Sequence, residues 1–178
     1  MPIVMSLMDQ VTSLENMMLA WRKLERAFNY GDVWYDELLI AEFKMNLVEH
    51  LRELAVSIKS GNYKMQSIRP IPFPKGGKDE NDELKVRQSF FIDFRDQLVW
   101  MAVCNVIGYI FDRRMPAWSY GNRLYVSMWQ EKNDDGRKIW KVGNYRNTSR
   151  NFYRKWTQSW PLMRRRITAS LKMMAGLK

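Results

Sequence analysis

The sequence predicts a mainly helical α+β fold: N-terminal helices, a long β-hairpin, a buried central helix, a second hairpin and basic C-terminal helices. Three observations carry that expectation. Apolar residues recur at helical spacing through residues 14–28 and 40–58. Three prolines at alternate positions, Pro70, Pro72 and Pro74, break that period and lead into a stretch rich in β formers. From Leu98 to Phe111 the chain is apolar on every side. At 178 residues the length suits one domain, and 46% hydrophobic content with 8 Trp, 8 Tyr and 8 Phe argues against intrinsic disorder.

"TSLE", Thr12 to Glu15, is a capping box, and Leu14, Met17, Met18, Trp21, Leu24 and Phe28 follow on one helical face until "NYGD" stops the pattern. A second helix is expected from about Asp36. It places Ile40, Phe43, Leu47, Leu51, Leu54 and Ile58 on one side and stops at Ser60-Gly61. These two helices fill residues 1–62. His50 lies on the second and is read as structural, because no further ligand stands nearby to complete a metal site.

From Tyr63 the prolines exclude helix. Pro70 to Pro74 reads as an extended edge segment, "KGGKDENDE" as an exposed loop and "LKVRQSFFIDF" as the returning strand. The helix that follows must be buried in protein. Its 14 residues from Leu98 to Phe111 fall short of the roughly 20 that cross a bilayer, and Arg95, Asp96, Arg113 and Arg114 flank them. "KNDDG", residues 132–136, reads as the turn of a second hairpin. Two basic aromatic helices are expected near 148–158 and 161–174.

One His and one Cys, Cys104, leave too few groups for a zinc site or a Cys-His nucleophile, and no internal disulfide can form. No cofactor is expected on this chain, and a cytoplasmic location is expected. The net charge of +10 is concentrated in one half. Residues 1–89 hold 12 Lys/Arg against 13 Asp/Glu, and residues 90–178 hold 17 against 6. After Asp135 come 12 cations with no carboxylate opposing them, interleaved with Trp140, Tyr145, Phe152, Tyr153, Trp156 and Trp160. Cations neutralise phosphate and flat rings stack on bases, so the pattern points to nucleic acid. A solvated basic helix over a core aromatic stripe is the alternative. In the first hairpin, Lys75 ends the outgoing arm while Lys85 and Arg87, two apart, share a face of the returning arm. Converging cations suit a triphosphate; an ordinary solvent-exposed basic strand would read the same way.

The order of features, a proline-rich arm, "PKGG", a basic residue before "FRDQLVW", a buried helix and "FDRRMPAWSYGNR", resembles the fingers of bacterial reverse transcriptases, the family of group II intron, retron and phage-defence enzymes. The likeness covers about residues 68–123, and "LMDQVTSLENMMLAWRKLERA" resembles the N-terminal helix of the defence-associated branch. The resemblance implies one fingers-like domain over 1–178, with a fingers-type hairpin, buried helix and Ser-Tyr-Gly segment at 63–123 and a hairpin and basic helices at 124–178. It implies that Lys75 and Arg87, with Lys85 beside them, meet the phosphates of an incoming deoxynucleotide triphosphate, and that Arg95 and Asp96 lock fingers to palm, with Arg95 also near template or nucleotide phosphate. Tyr120, Gly121, Asn122 and Arg123 then lie near template. Lys78 and the basic residues Arg146, Arg150, Arg154, Lys155, Arg164, Arg165 and Arg166 are further expected nucleic-acid contacts. Two departures stand out: "KDENDE" enlarges the loop, and Gln97 replaces a residue commonly basic.

Such polymerases hold two Mg²⁺ on carboxylates that this chain does not offer in the family's pattern. No catalytic or metal-binding residue is therefore expected here. The expectation is the N-terminal fingers part of an RNA-directed DNA polymerase (a nucleotidyltransferase), inactive by itself, with RNA or DNA as partner. Palm and thumb would lie on the same polypeptide, and Mg²⁺ would be the cofactor of the whole enzyme. A freestanding RNA- or DNA-binding module is the alternative. Self-association through an aromatic, Met-rich surface is a third reading, and no membrane partner is expected.

Overall fold

The computed structural model describes residues 5–29, 35–78, 80, 84–116, 118–121, 123–145 and 149–176. Among the described residues, six helices and two separate two-stranded ribbons make a mainly helical α+β fold. It divides into two compact units, Met1–Val103 and Cys104–Lys178.

The first unit begins with α1 (Leu7–Thr12) and α2 (Leu14–Asn29). Thr12 is not the cap expected of it. Its hydroxyl donates back to the Met8 carbonyl within α1, while the Ser13 hydroxyl accepts from the Asn16 N–H at the start of α2. Adjacent hydroxyls made the cap ambiguous by one residue, and the ambiguity concealed a short helix. On α2, Met17, Ala20, Trp21, Leu24 and Phe28 are buried, following the expected spacing. Burying each large apolar side chain contributes roughly 1.5 to 3 kcal/mol.

The expected second helix is two, α3 (Glu37–Met45) and α4 (Leu47–Lys59), separated by Asn46 at φ −126°, ψ 44°. Asn is a weak helix former, and the apolar spacing runs through it without registering the break. Asp36 caps α3 through the Leu38 and Leu39 N–H groups. Gly61, at φ +73°, takes the left-handed conformation that ends α4. Phe43 is the hub of the core: Trp21 lies at 5.3 Å, His50 stacks at 4.9 Å, and Phe94 meets it edge-on at 5.1 Å. His50 also places Nδ1 3.0 Å from the Phe43 carbonyl, so its role is structural. The Asn16 amide donates to the carbonyls of Val11 and Ala102, tying α2 to α5 (Phe94–Arg114).

Between α4 and α5 runs an antiparallel ribbon of β1 (Arg69–Lys78) and β2 (Leu84–Phe91). β1 continues four residues past Pro74, into what was expected to be loop, across a register shift between Pro74 and Lys78. Pro70, Pro72 and Pro74 stand opposite Phe90, Gln88 and Val86. Prolines have no N–H, so the β1 donors of this ladder come from Arg69, Ile71 and Phe73, and the outer edge of β1 offers only carbonyls over this stretch.

α5 is not buried all round. Phe94, Leu98, Val99, Ala102 and Asn105 are buried, whereas Trp100, Tyr109, Ile110 and Phe111 are exposed. Phe94, Leu98, Ala102 and Asn105 repeat every three or four residues, which is one face of a helix, and a run whose one polar residue, Asn105, is itself buried gives no phase to reveal it. Among the described residues no helix is long and apolar enough to cross a membrane.

The second unit contains the end of α5, the ribbon of β3 (Val126–Lys132) and β4 (Lys138–Tyr145), and α6 (Trp156–Met174). "KNDDG" forms the expected turn: the Gly136 N–H donates to the Asn133 carbonyl, and Gly136 sits at φ +73°. Instead of two C-terminal helices there is one, which passes through Pro161. Residues 149–155 are not helical. The proline removes one ladder bond, which a long helix can absorb without ending there.

Candidate nucleic-acid interface

In the first unit the candidate contacts lie on the β1–β2 ribbon. Cross-strand partners share a face, so Arg87 stands beside Phe73, and Arg69 lies with its guanidinium 4.5 Å above the Phe91 ring. Lys85 is one pleat from Arg87 on that side. Lys75 falls inside the register shift. Lys75, Lys85 and Arg87 are exposed and form no ion pair among the described residues. Lys78 is exposed near the tip. The opposite face carries Pro70, Pro72 and Pro74 against Phe90, Gln88 and Val86 and, beyond the register shift, Lys78 against Leu84. The alternation of strand residues thus sets Lys85 and Arg87 on one side of the ribbon and the three prolines on the other.

At the strand-to-helix junction Arg95 and Asp96 part company. Arg95 is exposed, its guanidinium 5.4 Å from the Phe94 ring. Asp96 is 1% exposed and accepts hydrogen bonds from the Tyr63 hydroxyl and the Gln66 N–H. Burial and the Asp96 carboxylate raise the Tyr63 pKa above its ordinary value, which keeps the phenol protonated as the donor. Asp96 therefore anchors the segment that leads into the ribbon. The signal for this was a tyrosine just past the Ser60-Gly61 stop of α4, to which sequence reasoning gave no role.

In the second unit the Ser-Tyr-Gly segment is held by Asp112 and Arg123. Asp112 Oδ1 accepts from Arg123 Nε at 2.9 Å and from the Leu124 N–H at 2.9 Å, and Oδ2 accepts from Arg123 Nη2 at 3.1 Å. Arg123 Nη2 also reaches the Asp112 carbonyl at 2.9 Å, and Nη1 reaches that of Ser119 at 3.3 Å. The two side chains are 14% and 15% exposed. Burial pushes the Asp112 carboxyl up, but the Arg123 and Leu124 hydrogen bonds outweigh it and hold the pKa below the usual carboxylate value. A carboxylate in the last turn of a helix opposes the macrodipole, so its partner explains its presence. Arg123, expected near template, is turned inward as a clamp.

Arg154 is also partly committed. Its N–H donates to the Arg123 carbonyl at 2.9 Å and its Nε to the Leu124 carbonyl at 3.2 Å. Burial, followed by the Arg123 charge, lowers its pKa. A cleft of about 560 Å³ opens between this cluster, Tyr109, Arg113 and Gly143.

Leu124, packed over Gly108, bridges to Tyr153, and the Tyr125 N–H donates to the Phe152 carbonyl at 2.8 Å. This short pairing brings Tyr153 and the start of α6 against the Tyr120–Gly121 turn. The result is a cavity of about 340 Å³ walled by Tyr120, Tyr153, Trp156, Trp160 and Met163, with Arg154 and Ser159 contributing polar groups. Lys155, Arg164, Arg165 and Arg166 are exposed on α6 or at its start, and Arg150 is exposed ahead of it. Asn122 and Arg146 lie outside the described residues. Trp156 and Trp160 were noted in the sequence as interleaved aromatics without a site. Their spacing of four inside an acid-free stretch was the available signal.

Among the described residues no group of three or more His, Cys, Asp or Glu side chains could hold a metal ion. No protein-family model matches the chain, and no curated protein matches it.

Proposed function

We propose that this chain binds single-stranded nucleic acid as the fingers-type part of an RNA-directed DNA polymerase, with the catalytic palm, its Mg²⁺ and the thumb supplied by further residues of the polypeptide, acting in the cytoplasm. The observation that carries the reading is the cationic side of the β1–β2 ribbon, where exposed Lys85 and Arg87 share a face next to Phe73. Phosphate oxygens are what an exposed row of cations without carboxylate partners is suited to meet. The order of sequence features around that ribbon supplies the link to polymerase fingers. In this reading Lys75, Lys85, Arg87 and Arg95 face nucleotide phosphate.

A freestanding nucleic-acid-binding module is the second reading, favoured by the second unit, whose α6 carries Arg164, Arg165 and Arg166 in the open. Both readings require binding to single-stranded RNA or DNA that weakens as salt rises, with a log-log slope of about −0.7 for each phosphate neutralised. Arg87→Ala should flatten that slope by about the same amount. Retention that does not change between low and moderate salt would overturn both. Joining the chain to an aspartate-bearing palm separates them: only the first reading gives template-directed DNA synthesis, and only there does Arg87→Ala impair use of the nucleotide.

A further inference from the structure

We propose that the cavity between the Tyr120–Gly121 turn and the start of α6 receives an unstacked base of a single nucleic-acid strand, while Lys155, Arg164, Arg165 and Arg166 carry its phosphates. The inference rests on the nucleic-acid reading above and adds to it a specific site. Four aromatic rings wall a space of about 340 Å³, within the range of small-ligand pockets. They are not sealed as core: Tyr153 is 50% exposed, Trp156 74% and Trp160 49%. A base offers two flat faces to such walls whatever its identity, which is how strands are held without sequence preference.

Charge selects the occupant. The segments forming the walls, residues 118–121 and 149–176, contain no Asp or Glu, so nothing in them repels a polyanion. Trp156, Trp160 and Arg164 follow one another at intervals of four, so a base among the tryptophans has a guanidinium on the next turn of the same helix strip. The walls are also held in place before any ligand arrives. The Arg123 clamp grips the Ser119 carbonyl on one side, and on the other the Arg154 N–H is fixed to the Arg123 carbonyl.

Gly121 gives an independent sign. Its φ is not in the left-handed region, and a Cβ built on it would meet no atom within 4 Å. Neither its backbone conformation nor packing among the described residues requires glycine there. Gly121 lines the cavity and a Cβ there meets open space, so in this proposal a larger side chain would compete with the base.

The test compares the full chain's affinity for a short oligouridylate with its affinity for an abasic strand of the same length and backbone; oligothymidylate with its abasic counterpart forms a parallel arm that distinguishes DNA from RNA. The expected result is a preference of about tenfold for the base-bearing strand, with Trp160→Ala and Gly121→Leu each bringing that ratio down towards one. Gly121→Leu keeps the test decisive should Trp160→Ala unfold, since the direction of its Cβ is open. Equal affinity of the unaltered chain for both strands overturns the cavity assignment and leaves the nucleic-acid reading standing. A ratio untouched by Gly121→Leu overturns the assignment too. Failure to bind any strand removes the nucleic-acid reading and the cavity with it.

Discussion

Replacing Asp112 with alanine should be among the most damaging single changes in the second unit. The carboxylate accepts two bonds from the Arg123 guanidinium and one from the Leu124 N–H, and its loss leaves Arg123, 15% exposed, facing the half-buried Arg154 with no counter-charge between them. Removing one partner of a buried pair costs about 3 to 5 kcal/mol. Both side chains keep some contact with water, which places this case near 3 kcal/mol. For a chain of this length that is a fall in Tm of about 6 to 12 °C. Differential scanning calorimetry reads it directly. Arg123→Ala and the double variant complete a cycle in which the coupling should be about 1 to 3 kcal/mol. Additive effects, or a fall in Tm under about 2 °C for Asp112→Ala, would refute the clamp. The pH dependence has a definite sign. A carboxyl held below its ordinary value of 3.8 adds stability above that pH, and the contribution is lost as pH falls through the lower folded value. The difference between the unaltered chain and Asp112→Ala should therefore be full at neutral pH and shrink below about pH 4.

Two further substitutions probe the first unit. Tyr63→Phe deletes one of the hydrogen bonds on the buried Asp96 carboxylate and should lower the urea midpoint by the equivalent of about 2 kcal/mol with an unchanged slope. Because the folded state raises the Tyr63 pKa, the unaltered chain should also lose stability as pH rises beyond 10 in a way that Tyr63→Phe does not; parallel alkaline curves would count against the anchor. Asp36→Ala removes the acceptor for the Leu38 and Leu39 N–H groups and should cost about 1 kcal/mol by urea unfolding, with Asp36→Asn restoring most of it. An effect of Asp36→Ala too small to measure would mean that packing alone holds the start of α3.

Local signals in the sequence were legible where one residue type has one physical use. The Asp36 cap, Gly61 after α4 and the Gly136 turn are such positions, and the Met17 to Phe28 stripe on α2 is the same kind of signal spread over four turns. Degenerate signals misled. Thr12 and Ser13 offer equal caps, and only the second is used for α2. Between Leu98 and Phe111, α5 carries one polar side chain, Asn105, and because it lies on the buried side it gave no mark of the open one. The candidate interface was legible as charge and not as geometry. The resemblance placed Arg123, and the run of cations Arg154, among the nucleic-acid contacts, whereas the fold spends the Arg123 guanidinium on Asp112 and the Ser119 carbonyl and Arg154 Nε on the Leu124 carbonyl. The cavity needed a long-range fact, the bridge between Leu124 and Tyr153, that no local pattern encodes.

The ribbon poses the remaining physical problem, because a two-stranded hairpin with both faces in water is marginal by itself. The prolines address it from two directions. By fixing φ at three positions of β1 they narrow the unfolded ensemble of that arm, so less entropy is lost when it pairs. By removing the N–H groups of the outward positions they also leave the edge of β1 unable to complete a ladder with another strand, which protects an exposed strand against indiscriminate pairing. Across the ribbon the Arg69 guanidinium over Phe91 adds a contact that survives solvent exposure. A stiff, edge-protected arm that sets Lys85 and Arg87 on one face and the three prolines on the other is a reasoned way to hold cations away from the core yet in fixed register. The proline spacing, which first appeared as a break in helical periodicity, is thus what makes the cationic face geometrically defined.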